Sequence, residues 1–181
     1  MKKTKFKKEN HISVAERLIN ELPLFTFLIV FTELAVFIYH KYFTDLPLVE
    51  AVSLSVLAYN PCHRGQLWRF LSHSFIHTGV LHLAFNVIGQ LFFGIALERA
   101  HGWRRVAEIF ATGTLVGSLT QSIYMPQYSF GGSSGANLAL VAAYLIHYFT
   151  VSKFQLKKIK IYMIFLLLFR TFWKQFTIWF L

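Results

Sequence analysis

The sequence predicts an all-α, polytopic membrane protein with about five helical spans. Of the 181 residues, 55% are hydrophobic and only 14% are charged, whereas soluble domains carry about 25% charged residues. Several windows approach the ~20 apolar residues that a helix needs to cross a bilayer. The basic residues cluster between these windows, which is typical of the loops that join membrane spans.

A semi-apolar connection separates the first two predicted spans. Span one covers about 23–43 and is interrupted only by Glu33. The connection, residues 44–67, is rich in Leu and Val, so we expect it to lie in the membrane interface. Span two covers about 77–97 and ends in a basic run that closes at Arg105.

Three further spans complete the predicted bundle. Span three, about 106–124, contains Gly113-x-x-x-Gly117, a spacing that lets two helix backbones approach closely. Span four, about 132–151, begins in a run of glycine and serine. Span five begins at Ile161 with nine apolar residues and then meets two cations.

The formal net charge of +10 indicates membrane topology. Of the 18 Lys and Arg, 13 fall in the N-terminal segment and in the loops between spans two and three and between spans four and five. With the N-terminus in the cytoplasm, every loop obeys the positive-inside rule. The sequence has no DNA- or RNA-reading motif. We therefore expect residues 1–20 to form a basic cytoplasmic segment and residues 21–181 a membrane domain, with the lipid bilayer and no nucleic acid as partner.

A stripe of chemically distinctive residues recurs every four positions along span two. Its members, called the polar stripe below, are His82, Asn86, Gln90, Gly94 and Glu98. Residues at this spacing share one slowly drifting helix face, and polar groups of a lipid-embedded helix must turn toward protein or a wet cavity. Interhelical hydrogen bonding is one explanation of the stripe. A pathway through a small transporter or channel subunit is another.

Span four begins at Gly132-Ser133-Ser134-Gly135. A helix N-terminus offers unpaired N–H groups that can hold an oxyanion beside a hydroxyl that attacks a carbonyl. Either serine could instead serve as an N-cap. The segment also fits G-x-S-x-G centred on Ser133, but that motif needs the strand–turn–helix setting of an α/β sheet, and no such sheet can be drawn. The placement therefore predicts serine chemistry within the membrane.

Two further histidines precede the polar stripe. His77 lies five positions before His82, roughly 140° around an ideal helix, so we expect it at the mouth of the span. His73 and His77, an i, i+4 pair, could bind a metal together with His82. The acidic or thiolate companions of such a site are missing, so we do not expect a metal.

These residues together resemble the rhomboid intramembrane serine proteases, the eukaryotic ones in particular. The matching segments are Trp68-Arg69-Phe70, His77-x-x-x-x-His82-x-x-x-Asn86, Gly94-x-x-Leu97-Glu98, Gly113-x-x-x-Gly117 and Gly132-x-Ser134-Gly135. Each segment is weak by itself, whereas their order and spacing over about 60–150 are specific. The resemblance implies a rhomboid-like helical bundle.

The resemblance also implies a role for each matching residue. Ser134 would be the nucleophile, in a water-filled cavity that opens to the non-cytoplasmic side. His82 and Asn86 would donate to the oxyanion, helped by the Ser134 backbone N–H, and His77 would be an accessory polar group near the cavity mouth. Trp68-Arg69 would correspond to a structural motif of the first loop. Substrates or clients would be single-span membrane proteins, handled without metal or nucleotide.

The chain departs from the rhomboid pattern at three places. Ser133 replaces the alanine of the usual Gly-Ala-Ser-Gly, and Leu138 stands where a tyrosine usually packs on the catalytic histidine. No base histidine is found. The one histidine after Ser134 is His147, thirteen residues later. That is ~20 Å along a helix, beyond the ~3 Å reach of a base. We therefore expect a C-terminally truncated chain without detectable activity as written. The alternative is an inactive rhomboid-like protein that binds transmembrane clients.

Overall fold

The computed structural model describes residues 22–151, which are mostly helical. The elements are α1 (Leu24–Tyr42), α2 (Leu48–Leu54), α3 (Arg69–Ser72), α4 (Val80–His101), α5 (Trp103–Tyr124) and α6 (Ser134–Val151), with 3-10 turns at Pro61–His63 and His73–Phe75. Residues 22–144 belong to one compact unit and residues 145–151 to a second. Every contact of the candidate site lies within the first unit.

Three helices of the described region, α1, α4 and α6, are long and apolar enough to cross a membrane. They confirm predicted spans one, two and four, and the chain is an integral membrane protein. Span three is also a helix, the 22-residue α5, but α5 is too polar to be counted with the other three. Predicted span five, like the basic segment 1–20, lies outside the described residues.

Helix α4 begins three residues later than the predicted start of span two. Gly79, which precedes α4, has an extended backbone with φ −165° and ψ 156°, so the helix starts at Val80. It ends where Gly102 takes a φ of +82°, a conformation that glycine adopts without strain. Within α4, Gln90–Gly94 forms a π-helical turn. Such turns are rare and are frequent at functional sites.

Small residues bring α5 and α6 together, as the Gly113-x-x-x-Gly117 spacing predicts. A Cβ on Gly113 would stand 2.5 Å from the Cβ of Ala139 and 2.9 Å from the backbone oxygen of Gly135. A Cβ on Gly117 would stand 3.1 Å from the Gly135 Cα. Larger side chains at these positions would force the two helices apart.

Glu98, the last member of the polar stripe, joins the end of α4 to the start of α1. Its carboxylate accepts hydrogen bonds from the backbone N–H of Phe25 and Thr26, both at 2.9 Å, and from the Thr26 hydroxyl at 2.7 Å. The first N–H groups of a helix have no partner within it, and in a membrane such groups must be satisfied by protein. Glu98 therefore acts as the N-terminal cap of α1.

The connection between α1 and α4 folds around Arg69. The buried Arg69 guanidinium donates to the backbone oxygens of Ser55, at 2.8 Å, and Ala58, at 2.7 Å. The neighbouring Trp68 donates its indole N–H to the backbone oxygen of Val56, at 3.2 Å. These contacts make Trp68-Arg69 a structural feature of the loop. The exposed apolar residues of the connection include Val49, Leu54, Val56, Leu67 and Trp68.

Candidate active site

The segment just before α6 is held by the connection that precedes α4. Tyr59 and Phe130 form an isolated antiparallel bridge, with N–H to O distances of 3.1 and 3.2 Å. The Gly132 N–H donates to the backbone oxygen of His73 at 2.8 Å. The backbone that leads into the serine pair is therefore fixed on both sides of Gly131.

Gly132 packs directly against the imidazole of His82. Its φ is +126°, in the region that favours glycine. A Cβ at this position would lie 2.5 Å from Cε1 and 2.6 Å from Nε2 of His82. Because Gly132 has no side chain, the imidazole of His82 can lie against the residue that precedes the two serines.

The two serines occupy different environments. Ser133 is buried, with 1% of its surface exposed, and its backbone oxygen accepts the N–H of Asn137 at 2.9 Å, the first helical bond of α6. Its hydroxyl accepts from Nε2 of Gln90 at 2.9 Å and lies 3.5 Å from Nε2 of His77. Ser134, the first residue of α6, is half-buried. Within residues 22–151 its hydroxyl has no hydrogen bond.

His77 lies just before α4 and is buried. The sequence predicts His77 at the mouth of span two, and its exposed fraction is 1%. Because the extended Gly79 delays the start of α4, His77 precedes the helix, and its ring turns inward between Ser133 and Glu33. Burial lowers the pKa of His77 well below its usual range, and the neighbouring His82 and His73 lower it further. The ring is therefore neutral at neutral pH.

A buried carboxyl group completes this cluster. Glu33 of α1 is 0% exposed, and its Oε1 accepts a hydrogen bond of 2.7 Å from Nε2 of Gln90. Its Oε2 lies 4.0 Å from Nε2 of His77. Glu33 and Gln90 are 57 residues apart in the sequence, so sequence reasoning saw each residue without its partner.

Asn86 meets a second amide that sequence reasoning missed. Its Oδ1 accepts from Nδ2 of Asn137 at 2.6 Å, and its own Nδ2 donates to the backbone oxygen of His82 at 3.0 Å. Gly89 gives Asn137 room, since a Cβ there would stand 2.9 Å from Oδ1 of Asn137. The sequence signal for this contact is Asn137 itself, an amide three residues after Ser134 in a mostly apolar span.

The alternative of a metal site finds no support among residues 22–151. No group of three or more His, Cys, Asp or Glu side chains in that region could hold a metal ion. The rings of His77 and His82 do lie together, with centroids 5.0 Å apart. Burial lowers the pKa of His73, the third histidine of that alternative, to about 4, and its Nδ1 lies 3.1 Å from the backbone oxygen of Arg69.

Fold and site define a class: a helical membrane protein with a serine at the start of one span and buried imidazole and amide groups packed around it. A family model described as "Rhomboid domain" matches residues 64–180. The chain therefore belongs to the rhomboid family.

Several named relatives show how far the similarity extends. Rhomboid-related protein 2 of Mus musculus is 39% identical over 129 residues, covering 69% of this chain and 43% of that protein. Rhomboid protease GluP of Bacillus subtilis (strain 168) is 34% identical over 82 residues, 45% of this chain and 16% of that protein. Inactive rhomboid-related protein 2 of Caenorhabditis elegans is 29% identical over 93 residues, 51% and 26% respectively. The chain spans less than half the length of these relatives.

Proposed function

We propose that this protein is an intramembrane serine endopeptidase of the rhomboid type, which cleaves single-span membrane proteins in or near their transmembrane segments. The observation that carries the proposal is the packing of the polar stripe on either side of Ser134. His82 lies against Gly132, and Asn86 pairs with Asn137. Imidazole and amide groups are costly to bury in a bilayer without a use.

In the proposed reaction the Oγ of Ser134 attacks the carbonyl carbon of the scissile peptide bond, and negative charge moves onto the carbonyl oxygen. Ser134 opens α6, so its backbone N–H has no partner within the helix, and a helix N-terminus favours an anion. His82 and Asn86 supply side-chain donors to the same oxygen. The proton of Ser134 must pass to a general base and from it to the amine that leaves when the C–N bond breaks. The family resemblance assigns this base to a histidine of a later span, and no histidine follows His147 in the 181-residue sequence.

The proposed topology has the N-terminus in the cytoplasm. The distribution of Lys and Arg supports it, because the positively charged loops then all face the cytoplasm. The start of α6, with Ser134, then faces the non-cytoplasmic side. Water needed to hydrolyse the acyl-enzyme would enter from that side.

A second candidate function is the binding of transmembrane clients without cleavage. The observation that favours it is the state of Asn86, whose amide is engaged by Asn137 and by the backbone of its own helix. One relative is named as an inactive rhomboid-related protein. In this function the same buried polar face would recognise a transmembrane segment.

One experiment separates these functions. The full chain, reconstituted in lipid vesicles, is mixed with a single-span reporter and with a fluorophosphonate probe that labels nucleophilic serines. The endopeptidase predicts that Ser134→Ala abolishes both cleavage and labelling, whereas the control variant Ser129→Ala, at an exposed position before α6, keeps both. Equal cleavage by the wild type and Ser134→Ala would contradict the assignment. An uncut reporter that co-purifies with both proteins would support client binding instead.

A further inference from the structure

Glu33 is a buried carboxyl group that the proposed reaction does not use. It lies in membrane-spanning α1 with 0% exposure, where such a group is expensive without a partner. The nearest cationic candidate is Nε2 of His77 at 4.0 Å, and burial keeps His77 neutral by lowering its pKa. The 2.7 Å hydrogen bond from Gln90 is therefore the contact that defines the position of Glu33.

Glu33 fixes the orientation of the Gln90 side chain. An amide presents two donors on its nitrogen and an acceptor on its oxygen. In the structure Nε2 of Gln90 donates to Oε1 of Glu33, so this contact selects the orientation in which the amide nitrogen faces Glu33. That orientation also aims an N–H at the hydroxyl of Ser133, 2.9 Å away. If the amide turned over, Ser133 would face an oxygen, and its own proton would be drawn away from His77.

Ser133 transmits this restraint to the start of α6. Its backbone oxygen accepts the first helical bond, from Asn137, and the next residue is Ser134. A fixed Ser133 side chain therefore holds the first helical turn, where the backbone N–H groups are unpaired. The chain of contacts runs from α1 through the π-helical turn of α4 to the residue beside the proposed nucleophile.

We propose that Glu33 is a positioning residue for this site: it orients Gln90, which holds Ser133 and thereby the first turn of α6 at Ser134. The catalytic consequence rests on the proposed function, whereas the positioning itself can be measured without turnover. Glu33 acts as a hydrogen-bond acceptor in this role. Glutamine at position 33 can supply the same acceptor, and leucine cannot.

A thiol at position 134 measures the positioning. The chain has one cysteine, the exposed Cys62, so Ser134→Cys in a Cys62→Ser background gives a single reporter. An ordered helix N-terminus lowers the pKa of a thiol, which speeds alkylation at neutral pH. We expect Glu33→Leu to slow alkylation by iodoacetamide at neutral pH by about threefold to tenfold. At strongly alkaline pH, where the thiol is ionised in either protein, the rates should agree.

Matched variants distinguish positioning from general damage. Glu33→Gln should alkylate within about twofold of the parent, because it keeps the acceptor. Glu108→Leu, at an exposed position on α5, should have no effect. Ser133→Ala should slow the reaction by itself, and in its background Glu33→Leu should add nothing, since coupled residues are not additive.

Several outcomes would overturn the proposal. One is a Glu33→Leu effect on the alkylation rate that is the same in the parent and in the Ser133→Ala background. Another is a Glu33→Gln protein as slow as Glu33→Leu, and a third is faster alkylation at every pH together with a lower melting temperature, which indicates a loosened fold. If Glu33→Leu does not fold, an unchanged rate in Ser133→Ala overturns it equally. Loss of the endopeptidase proposal leaves this measurement unaffected, because alkylation needs no catalysis.

Discussion

Replacing Gly132 with alanine should destabilise the protein more than the same change at Gly102 or Gly65. Two features combine at Gly132: a φ of +126°, and a Cβ position 2.5 Å from Cε1 of His82. Gly102 shares a positive φ, +82°, but has open space around it, and Gly65 has neither feature. The three glycines therefore separate backbone strain from steric overlap.

The expected magnitudes follow from these contacts. A residue with a Cβ loses about 1–2 kcal/mol at a left-handed backbone position. Ordinary van der Waals contact begins at 3.4 Å, so the His82 ring would have to move by about 1 Å, and such shifts in a packed interior cost about 1–3 kcal/mol. We expect Gly132→Ala to lower the free energy of unfolding by about 2–5 kcal/mol, Gly102→Ala by about 1–2, and Gly65→Ala by less than ~0.5.

The assay is equilibrium unfolding in mixed micelles, followed by tryptophan fluorescence, on the three variants and the parent. A second change, His82→Ala, should return the overlap part of the loss in Gly132→Ala, because the two residues are in contact and their effects couple. A Gly132→Ala protein as stable as Gly102→Ala would refute the close packing of His82 on Gly132. A pair of changes that simply adds would refute overlap as the cause.

Three further predictions concern other parts of the molecule. An impermeant maleimide should label Cys62 from the non-cytoplasmic side of intact cells, because the proposed topology puts the loop between α1 and α4 there; labelling only after permeabilisation would reverse the topology. The free energy of unfolding should fall as the pH drops from about 6.5 toward about 4. Burial lowers the pKa of His73 to about 4, so in this range the unfolded chain binds a proton that the folded chain does not. In His73→Gln this pH dependence should weaken, and an unchanged profile would contradict His73 as its source. Asn137→Leu should lower the free energy of unfolding by about 1–3 kcal/mol, since it leaves the buried Oδ1 of Asn86 without its 2.6 Å donor; a change below ~0.5 kcal/mol would show that this bond contributes little.

The helices could be predicted from the sequence because the signals for them are local. An apolar run of sufficient length determines α1, α4 and α6, and the Gly113-x-x-x-Gly117 spacing predicts a close helix contact, which the structure shows between α5 and α6. The burial of His77 could not be predicted. It depends on the extended backbone of Gly79, after which α4 starts at Val80. A glycine can adopt an extended or a helical backbone, so the sequence does not decide between the two.

The polar contacts of the site depend on pairing between distant residues. Ser133 and Ser134 are chemically identical neighbours in the sequence, and what distinguishes them is a donor 43 residues away, Gln90. In the sequence Glu33 is an interruption of an apolar span, and only the structure shows Gln90 beside it. The chemistry of each side chain indicates that it needs a partner when buried. Which residue becomes that partner depends on how α1, α4 and α6 pack.

The polar stripe on α4 is one face in the sequence but meets two neighbours in the structure. Residues four apart on an ideal helix drift by about 40° per step, so a stripe of five members turns far enough to face two different helices. His82 and Asn86 meet the start of α6, whereas Gly94 and Glu98 meet Thr26 at the start of α1. Gln90 stands where the stripe crosses over, within the π-helical turn, and it contacts both neighbours through Ser133 and Glu33. The stripe is thus divided between two helices: the α1 half caps the start of α1, the α6 half lies beside Gly132 and Asn137, and Gln90 contacts both neighbours.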